Sequence, residues 1–403
     1  MEATTIYGKL LVAACFCQQA LCVGVMFNLG MFTDYFRDSF QVNYAQVSLI
    51  MSLSQCLLYG GGPVGLLLLK RFGCKRVTLA CSFLASGSFI LASFVHLYYL
   101  LVVLLGVIAG FACSVIFGAS LFSIPEIFLT QRERLVAYAA AIAGAGIGNV
   151  IFPVVFTYFF TYFTWRQALF IAGGILLHFI PASLLMPTRL TLSQKLALED
   201  EKVEPEILWK NLTYILTVAT CFLAQAFLAA AFYTFLSPLM QHNGFSPSQI
   251  GLVFLLMGAL SVPGRLAAIF SARLFKHPLT LWCLTTIVCA IIQALLYMQV
   301  EEWSTTLALT CMFSFTIGVN YSLYPPVISS LVSDHNLQMA LSVCNFAYGL
   351  GGLMGPVFIG VLIDVLGDYS LPLVIGSVML LFSALLLALW DLISSKGGCL
   401  HAQ

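Results

Sequence analysis

One arginine, Arg265, stands deep inside an apolar run, in the sequence SVPGR. It lies about 15 residues into that run, which in a helix is roughly 22 Å. A lone guanidinium at that depth in hydrocarbon costs at least about 3 kcal/mol, so it should face a protein interior or a water-filled cavity. Its planar fork suits bidentate capture of a carboxylate. Two plainer readings stay open: the side chain snorkels to the nearer interface, or it bonds carbonyls freed by Pro263 and Gly264.

The other candidate groups are less promising. Carboxylates able to load and unload a proton fall near the ends of apolar runs, at Asp34, Glu126, Asp334 and Asp364. His178 also sits toward one end, where packing competes with a proton relay as its role. Gln18, Gln19, Asn28, Gln225, Asn320 and Asn345 lie within the runs, with interhelical hydrogen bonding as the default and cavity lining as the alternative. The chain has no HExxH, no GxSxG and no membrane-depth cluster of His with Asp or Glu, so nothing here points to an enzyme. Its 13 cysteines are mostly single and lack metal-ligand spacing. Glycine-rich stretches such as GGGPVG have no preceding strand and no acid downstream, which favours close helix packing over nucleotide binding. Neither a metal nor a cofactor is implied.

The elements that must hold these residues follow from composition. Of 403 residues 61% are hydrophobic and only 8% charged, against roughly a quarter charged in soluble domains. A net charge of +1 gives no reason to expect a nucleic-acid partner. A bilayer core about 30 Å thick takes about 20 apolar residues per helix. That yardstick predicts twelve spans near 10–32, 46–69, 77–95, 98–122, 135–160, 168–186, 212–236, 250–270, 279–298, 305–332, 339–365 and 371–390. The first is as long as a full span, so it reads as a membrane helix and not as a cleaved signal. With the N-terminus inside, fourteen of the seventeen Lys and Arg residues fall in inner loops or at inner ends, Arg37 and Arg166 fall outside, and Arg265 is within a span. Both termini are then cytoplasmic.

A polar segment, 188–211, divides the spans six and six, giving expected bundles over 1–187 and 212–403 with a cytoplasmic linker between them. The halves echo each other. Pro63 and Pro263 sit in the second span of each, 200 positions apart, and GAGIGNVIFP to Pro153 is answered by GLGGLMGP to Pro356. These prolines and Gly264 are the candidate hinges. A repeat of about 200 residues with parallel six-helix halves resembles the plan of the major facilitator superfamily, in which substrate sits between the halves and access alternates by rocking. The expected fold is therefore all-α, with twelve transmembrane helices in two six-helix bundles.

Within that superfamily the residues resemble the monocarboxylate transporter family over nearly the whole chain. VSLI (Val47 to Ile50), YGGGP (Tyr59 to Pro63) and KRFGCKRV (Lys70 to Val77) are similar to its second span and following loop. TWRQALFIAGGILLHFIPASLLMP (Thr164 to Pro187) resembles its entry to the sixth span, and GPVFIGVLIDVLGDY (Gly355 to Tyr369) its pattern near the end. The entry signature before the first span is reduced to Tyr7-Gly8-Lys9. Proton-linked members carry a lysine in the first span and an aspartate four residues before the arginine of the eighth; here those positions hold Phe27 and Ser261, while Arg265 remains. The resemblance thus implies a plasma-membrane carrier of a small carboxylate-bearing solute, with Arg265, Phe27, Asn28 and Tyr324 as substrate-binding candidates. Lactate-proton symport does not carry over with it, which leaves facilitated diffusion open beside symport. Carriage of a larger or neutral solute, and a non-transporting sensor or scaffold, are the alternatives. Some family members travel with a single-pass immunoglobulin-like chaperone; no residue in this sequence marks a docking site for one.

Overall fold

The structure, a computed structural model, describes residues 2–42, 44–188, 190, 205–274, 278–299, 302–332, 334–366 and 370–397. Among them every regular element is helical. Eleven helices are long and apolar enough to cross a membrane, and a bent pair makes a twelfth span. We number the spans α1 (Ile6–Phe32), α2 (Tyr44–Gly60 with Gly62–Phe72), α3 (Cys74–Ala92), α4 (Tyr98–Phe122), α5 (Gln131–Tyr162) and α6 (Trp165–Leu184) in the first half. The second half holds α7 (Pro205–His242), α8 (Pro247–Leu274), α9 (Pro278–Met298), α10 (Trp303–Leu331), α11 (Asp334–Leu366) and α12 (Ser370–Gly397). Large apolar side chains stand more than half exposed along the spans, among them Leu67, Phe83 and Val365. That is the surface lipid requires, because hydrocarbon offers exposed polar groups no partner. Residues 191–204, most of the expected linker, lie outside the described residues, and α7 begins at Pro205, within the segment read as linker.

Backbone closeness sets the framework. Glycines at 144 and 148 press α5 onto α1 so tightly that a methyl group at either would overlap the carbonyl oxygen of Phe16 or Ala20. Without a hydrophobic drive between helices in lipid, small residues are what allow such contact. The same seam recurs between α11 and α7: a methyl at Gly351 or Gly355 would overlap the carbonyl of Leu223 or Phe227. Each of these four residues stands 207 positions after its counterpart. That register corrects the pairing of Pro153 with Pro356, which are 203 apart: the offset of 207 makes Gly360 the counterpart of Pro153, one helical turn beyond Pro356.

The two bundles meet along α5 with α8 and along α2 with α11. At the second crossing, a methyl on Gly349 would come within 2.7 Å of the Gly60 nitrogen. Beside it α2 bends by 51°. The break falls at Gly61, where a side chain would meet Ser114 Oγ at 2.7 Å, and Pro63 enters the following helix in its first turn, where its missing N–H is not needed. Pro153 and Pro263 lie inside helices that continue through them. Pro356 lies within α11, with its side chain outside the described residues.

Candidate functional site

Local structure fixes Arg265 first. Gly264 on α8 meets α10 where a methyl would overlap the Phe315 carbonyl, and Gly318 on α10 lies against Ser261 and Arg265 in turn. This tight α8–α10 crossing leaves the Arg265 side chain one route, toward α5 of the other bundle. There it is 7% exposed, and its Nη1 donates to the Ile142 carbonyl at 3.2 Å. Gly146 makes the room: a methyl there would stand 3.0 Å from Arg265 Cδ and Nε. The guanidinium lies 5.5 Å over the Tyr321 ring, and its Nε has no hydrogen-bond partner. Of the plainer readings, snorkelling does not describe this side chain, because it points between the bundles. Carbonyl bonding describes it in part, although the carbonyl belongs to α5 and not to the turn of Pro263.

The space around it is a cavity of about 1330 Å³. Its lining runs from the middle of the spans to one of their ends, reaching Thr161 and Tyr162 in the last turn of α5 and Gly251 in the first turn of α8. At the opposite end the bundles are latched. Thr130 caps α5, accepting from the Glu133 amide at 3.3 Å, and this sets Arg134 in the first turn. Arg134, 1% exposed, donates Nη2 to Asp334 Oδ2 of α11 at 2.8 Å and Nη1 to Oδ1, while its Nε donates to the Phe128 carbonyl at 2.8 Å. Gln131 donates to the Ser329 carbonyl at 2.6 Å, and Gln338 donates to Glu126 at 3.0 Å. The site is thus reachable from one side of the protein and sealed on the other.

Among the described residues, Arg265 is the one charged side chain lining the cavity. Around it stand Tyr59 of α2, Tyr233 of α7, Tyr321 of α10 and Tyr348 of α11, the phenols its charge reaches. The hydroxyls of Tyr321 and Tyr348 share a hydrogen bond at 3.0 Å, and the rings of Tyr59 and Tyr348 lie 4.8 Å apart across the bundle interface. Asn149 adds a buried Oδ1 without a partner. Such a set can grip an anion through Arg265 Nε and a phenol O–H, hold a flat apolar body between rings, and accept one donor at Asn149.

All four binding candidates from the sequence line this cavity. Phe27 lies edge-on to Tyr59 at 6.3 Å and is 36% exposed; Asn28 donates to the Gly24 carbonyl at 2.7 Å. Tyr324 donates to Asn345 Oδ1 at 3.2 Å and packs on Phe222 at 5.0 Å. Ser261, where the resembled proton-linked carriers have aspartate, bonds back to the Gly258 carbonyl at 2.8 Å. Asn320 and Gln225 bond each other away from the cavity, with Thr285 and Thr286 completing the network, and Gln18 bonds Ser183. His178 is exposed on the outside, its Nδ1 2.9 Å from the Ile175 carbonyl, which corrects the expectation of a packed histidine. The side chains of Asp34 and Asp364 lie outside the described residues. Tyr233, Tyr321, Tyr348 and Asn149 were not read from the sequence, and Tyr59 and Gly146 were read there only as parts of the YGGGP and GAGIGNVIFP stretches and not as site residues; the one available signal was the polar Asn149 beside the glycines of α5.

Comparison with known proteins agrees with this fold. Residues 14–335 match the model of the Major Facilitator Superfamily. Monocarboxylate transporter 12 of Mus musculus is 22% identical over 94% of this chain and 85% of its own length. Monocarboxylate transporter 13 of Rattus norvegicus is 27% identical over 93% of this chain and 87% of its own. The crystal structure of the human organic anion transporter MFSD10 (TETRAN) shares the fold at a TM-score of 0.72 and 14% identity, covering 94% of this chain and 99% of that one.

Proposed function

The chain belongs to the Major Facilitator Superfamily, and from that premise we propose that it carries a small carboxylate-bearing organic solute across the plasma membrane by alternating access, with Arg265 as the carboxylate contact. The observation that carries this reading is a lone guanidinium, buried between the bundles, with an unpartnered Nε in a cavity that has no other described charge. The Ile142 carbonyl and the Tyr321 ring offset part of the cost of burying this charge, and an anionic cargo would offset more. The names of the curated relatives favour a monocarboxylate.

The basic residues of the loops gather at the latched end, which by the positive-inside rule is cytoplasmic. Both termini are then cytoplasmic and this conformation faces outward. In the proposed cycle, cargo reaches Arg265 past Phe27 and Asn28, with Tyr324 lining the cavity further toward the latched end, and competes with the Ile142 carbonyl for the guanidinium. The halves 1–187 and 212–403, joined by the linker 188–211, then rock about the α5–α8 and α2–α11 crossings as the Arg134–Asp334 latch opens. Flexing is assigned to Pro153, Pro263 with Gly264, and Pro356, where proline removes a helical hydrogen bond, and to Pro63 at the break of α2.

Uptake of a panel of radiolabelled monocarboxylates into proteoliposomes tests the reading. Saturable uptake and counterflow are expected, with loss in Arg265→Ala and partial retention in Arg265→Lys. If both variants transport at wild-type rates with unchanged KM, Arg265 is not the contact; a lack of flux with retained ligand binding would favour a sensor.

A further inference from the structure

We infer that the cargo is a carboxylate that bears an aromatic ring and no ammonium group, and that it crosses as the bare anion, unaccompanied by a proton. This rests on the reading of Arg265 as the carboxylate contact and asks what the rest of the cavity would accept and reject.

Charge decides the first half. An α-amino acid brings an ammonium within a few ångströms of its carboxylate, and beside a buried guanidinium a carboxylate is the group that best offsets that second positive charge. Facing Arg265 are Tyr59 from α2, the Ile142 carbonyl and Gly146 from α5, Tyr233 from α7, Tyr321 from α10 and Tyr348 from α11. None is a carboxylate, and Ser261 on the arginine's own helix is folded back on Gly258. An ammonium here would sit beside a like charge with Asn149 Oδ1 as its one unpartnered neutral acceptor and no described counter-ion, which low-dielectric surroundings make costly.

Shape decides the ring. An unbroken aromatic path crosses the bundle interface: Phe27 to Tyr59 at 6.3 Å, Tyr59 to Tyr348 at 4.8 Å, Tyr348 to Phe222 at 6.0 Å, and Phe222 to Tyr324 at 5.0 Å. Edge-to-face and tilted pairs at such spacings accept a further ring with a gain of about 2- to 10-fold in affinity over an alkyl body. A cargo lying on this path touches both halves at once, as a solute that must be released by their rocking should.

The proton follows from the same inventory. Phenols keep their protons near neutral pH, with an ordinary pKa near 10, and no described carboxylate or imidazole lines the cavity. Nothing there loads a proton on one side and surrenders it on the other. Arg265 stays charged and stays with the protein, so each transport event moves one negative charge. Across a membrane with a negative interior, the resting direction for such an anion is outward.

Proteoliposomes distinguish these claims with three probes of similar size: 3-phenylpropanoate, phenylalanine and hexanoate, each corrected for flux into protein-free vesicles. Expected is a kcat/KM for 3-phenylpropanoate at least tenfold above that for phenylalanine and several-fold above that for hexanoate. Tyr348→Leu should narrow the margin over hexanoate by lowering 3-phenylpropanoate uptake more. With a potassium gradient and valinomycin, accumulation should rise about tenfold for each ~59 mV made positive inside, and a pH gradient of either sign should not drive it. Equal transport of phenylalanine, or flux that follows the pH gradient and ignores the potential, overturns the inference. If hexanoate is carried as well as 3-phenylpropanoate in an Arg265-dependent way, the ring is refuted while the carboxylate reading stands. If no carboxylate is carried, both fail together.

Discussion

The α1–α5 seam and the α7–α11 seam are built alike, yet the cavity between them is not. Each seam uses two glycines one helical turn apart to press backbone on backbone, in the same register 207 positions on. The charge on the cavity wall, by contrast, comes from the second half alone, through Arg265, while the first half contributes the glycine and the carbonyl that receive it. Where the halves repeat, they supply a stiff pair of rocking bodies. On the proposed reading the cargo is recognised where they differ, at Arg265.

The variant that tests this division most sharply is Gly146→Leu. It adds bulk 3.0 Å from Arg265 Cδ and Nε on the receiving side, and should lower kcat/KM for carboxylate uptake about 10- to 150-fold, the worth of a charged hydrogen bond of about 1.5–3 kcal/mol. Near-normal uptake would mean that the first half does not position the guanidinium. Next in size, Gly148→Leu and Gly355→Leu should each destabilise the detergent-solubilised protein by about 1–3 kcal/mol through overpacking, and by similar amounts. Thermal unfolding of the two variants that differs widely would break the equivalence of the seams.

The latch offers a smaller effect. Asp334→Asn leaves the buried Arg134 with a neutral acceptor, a loss of about 1 kcal/mol, since Asp334 itself keeps 34% exposure. Hydrogen–deuterium exchange in the first turns of α5 and α11 should quicken several-fold as the sealed end opens more often; unchanged exchange would show that Gln131–Ser329 and Gln338–Glu126 suffice. Smallest of all, Tyr324→Phe removes one hydrogen bond to Asn345 and should change KM by no more than about fivefold, a worth of roughly 1 kcal/mol. A larger change would promote Tyr324 from wall to direct contact.

Much of the fold was legible because hydropathy acts locally. A run of about 20 apolar residues must become a helix in lipid, whatever its neighbours do. The bend of α2 was foreshadowed by GGGPVG, and the seams by glycines spaced four apart. The sequence could not supply the exact register of the repeat, because prolines recur in both halves without being equivalent, and only helix contact shows which residues correspond. His178 escaped for a related reason: a count along the chain gives depth in the membrane and not which face of the helix a residue occupies.

The site divides along the same line. Arg265 announced itself, since a charge in an apolar run carries an energy that demands an explanation. The tyrosines that surround it did not, because a phenol among leucines and phenylalanines is at home in any core and gives no sign of the direction it faces. Tyr59, Tyr233, Tyr321 and Tyr348 are drawn from four different helices, and the span from the first to the last is nearly three quarters of the chain. Helices and their order were thus fixed by what each segment needs from lipid. Only the tertiary structure, by choosing which faces turn inward, decided what stands around Arg265.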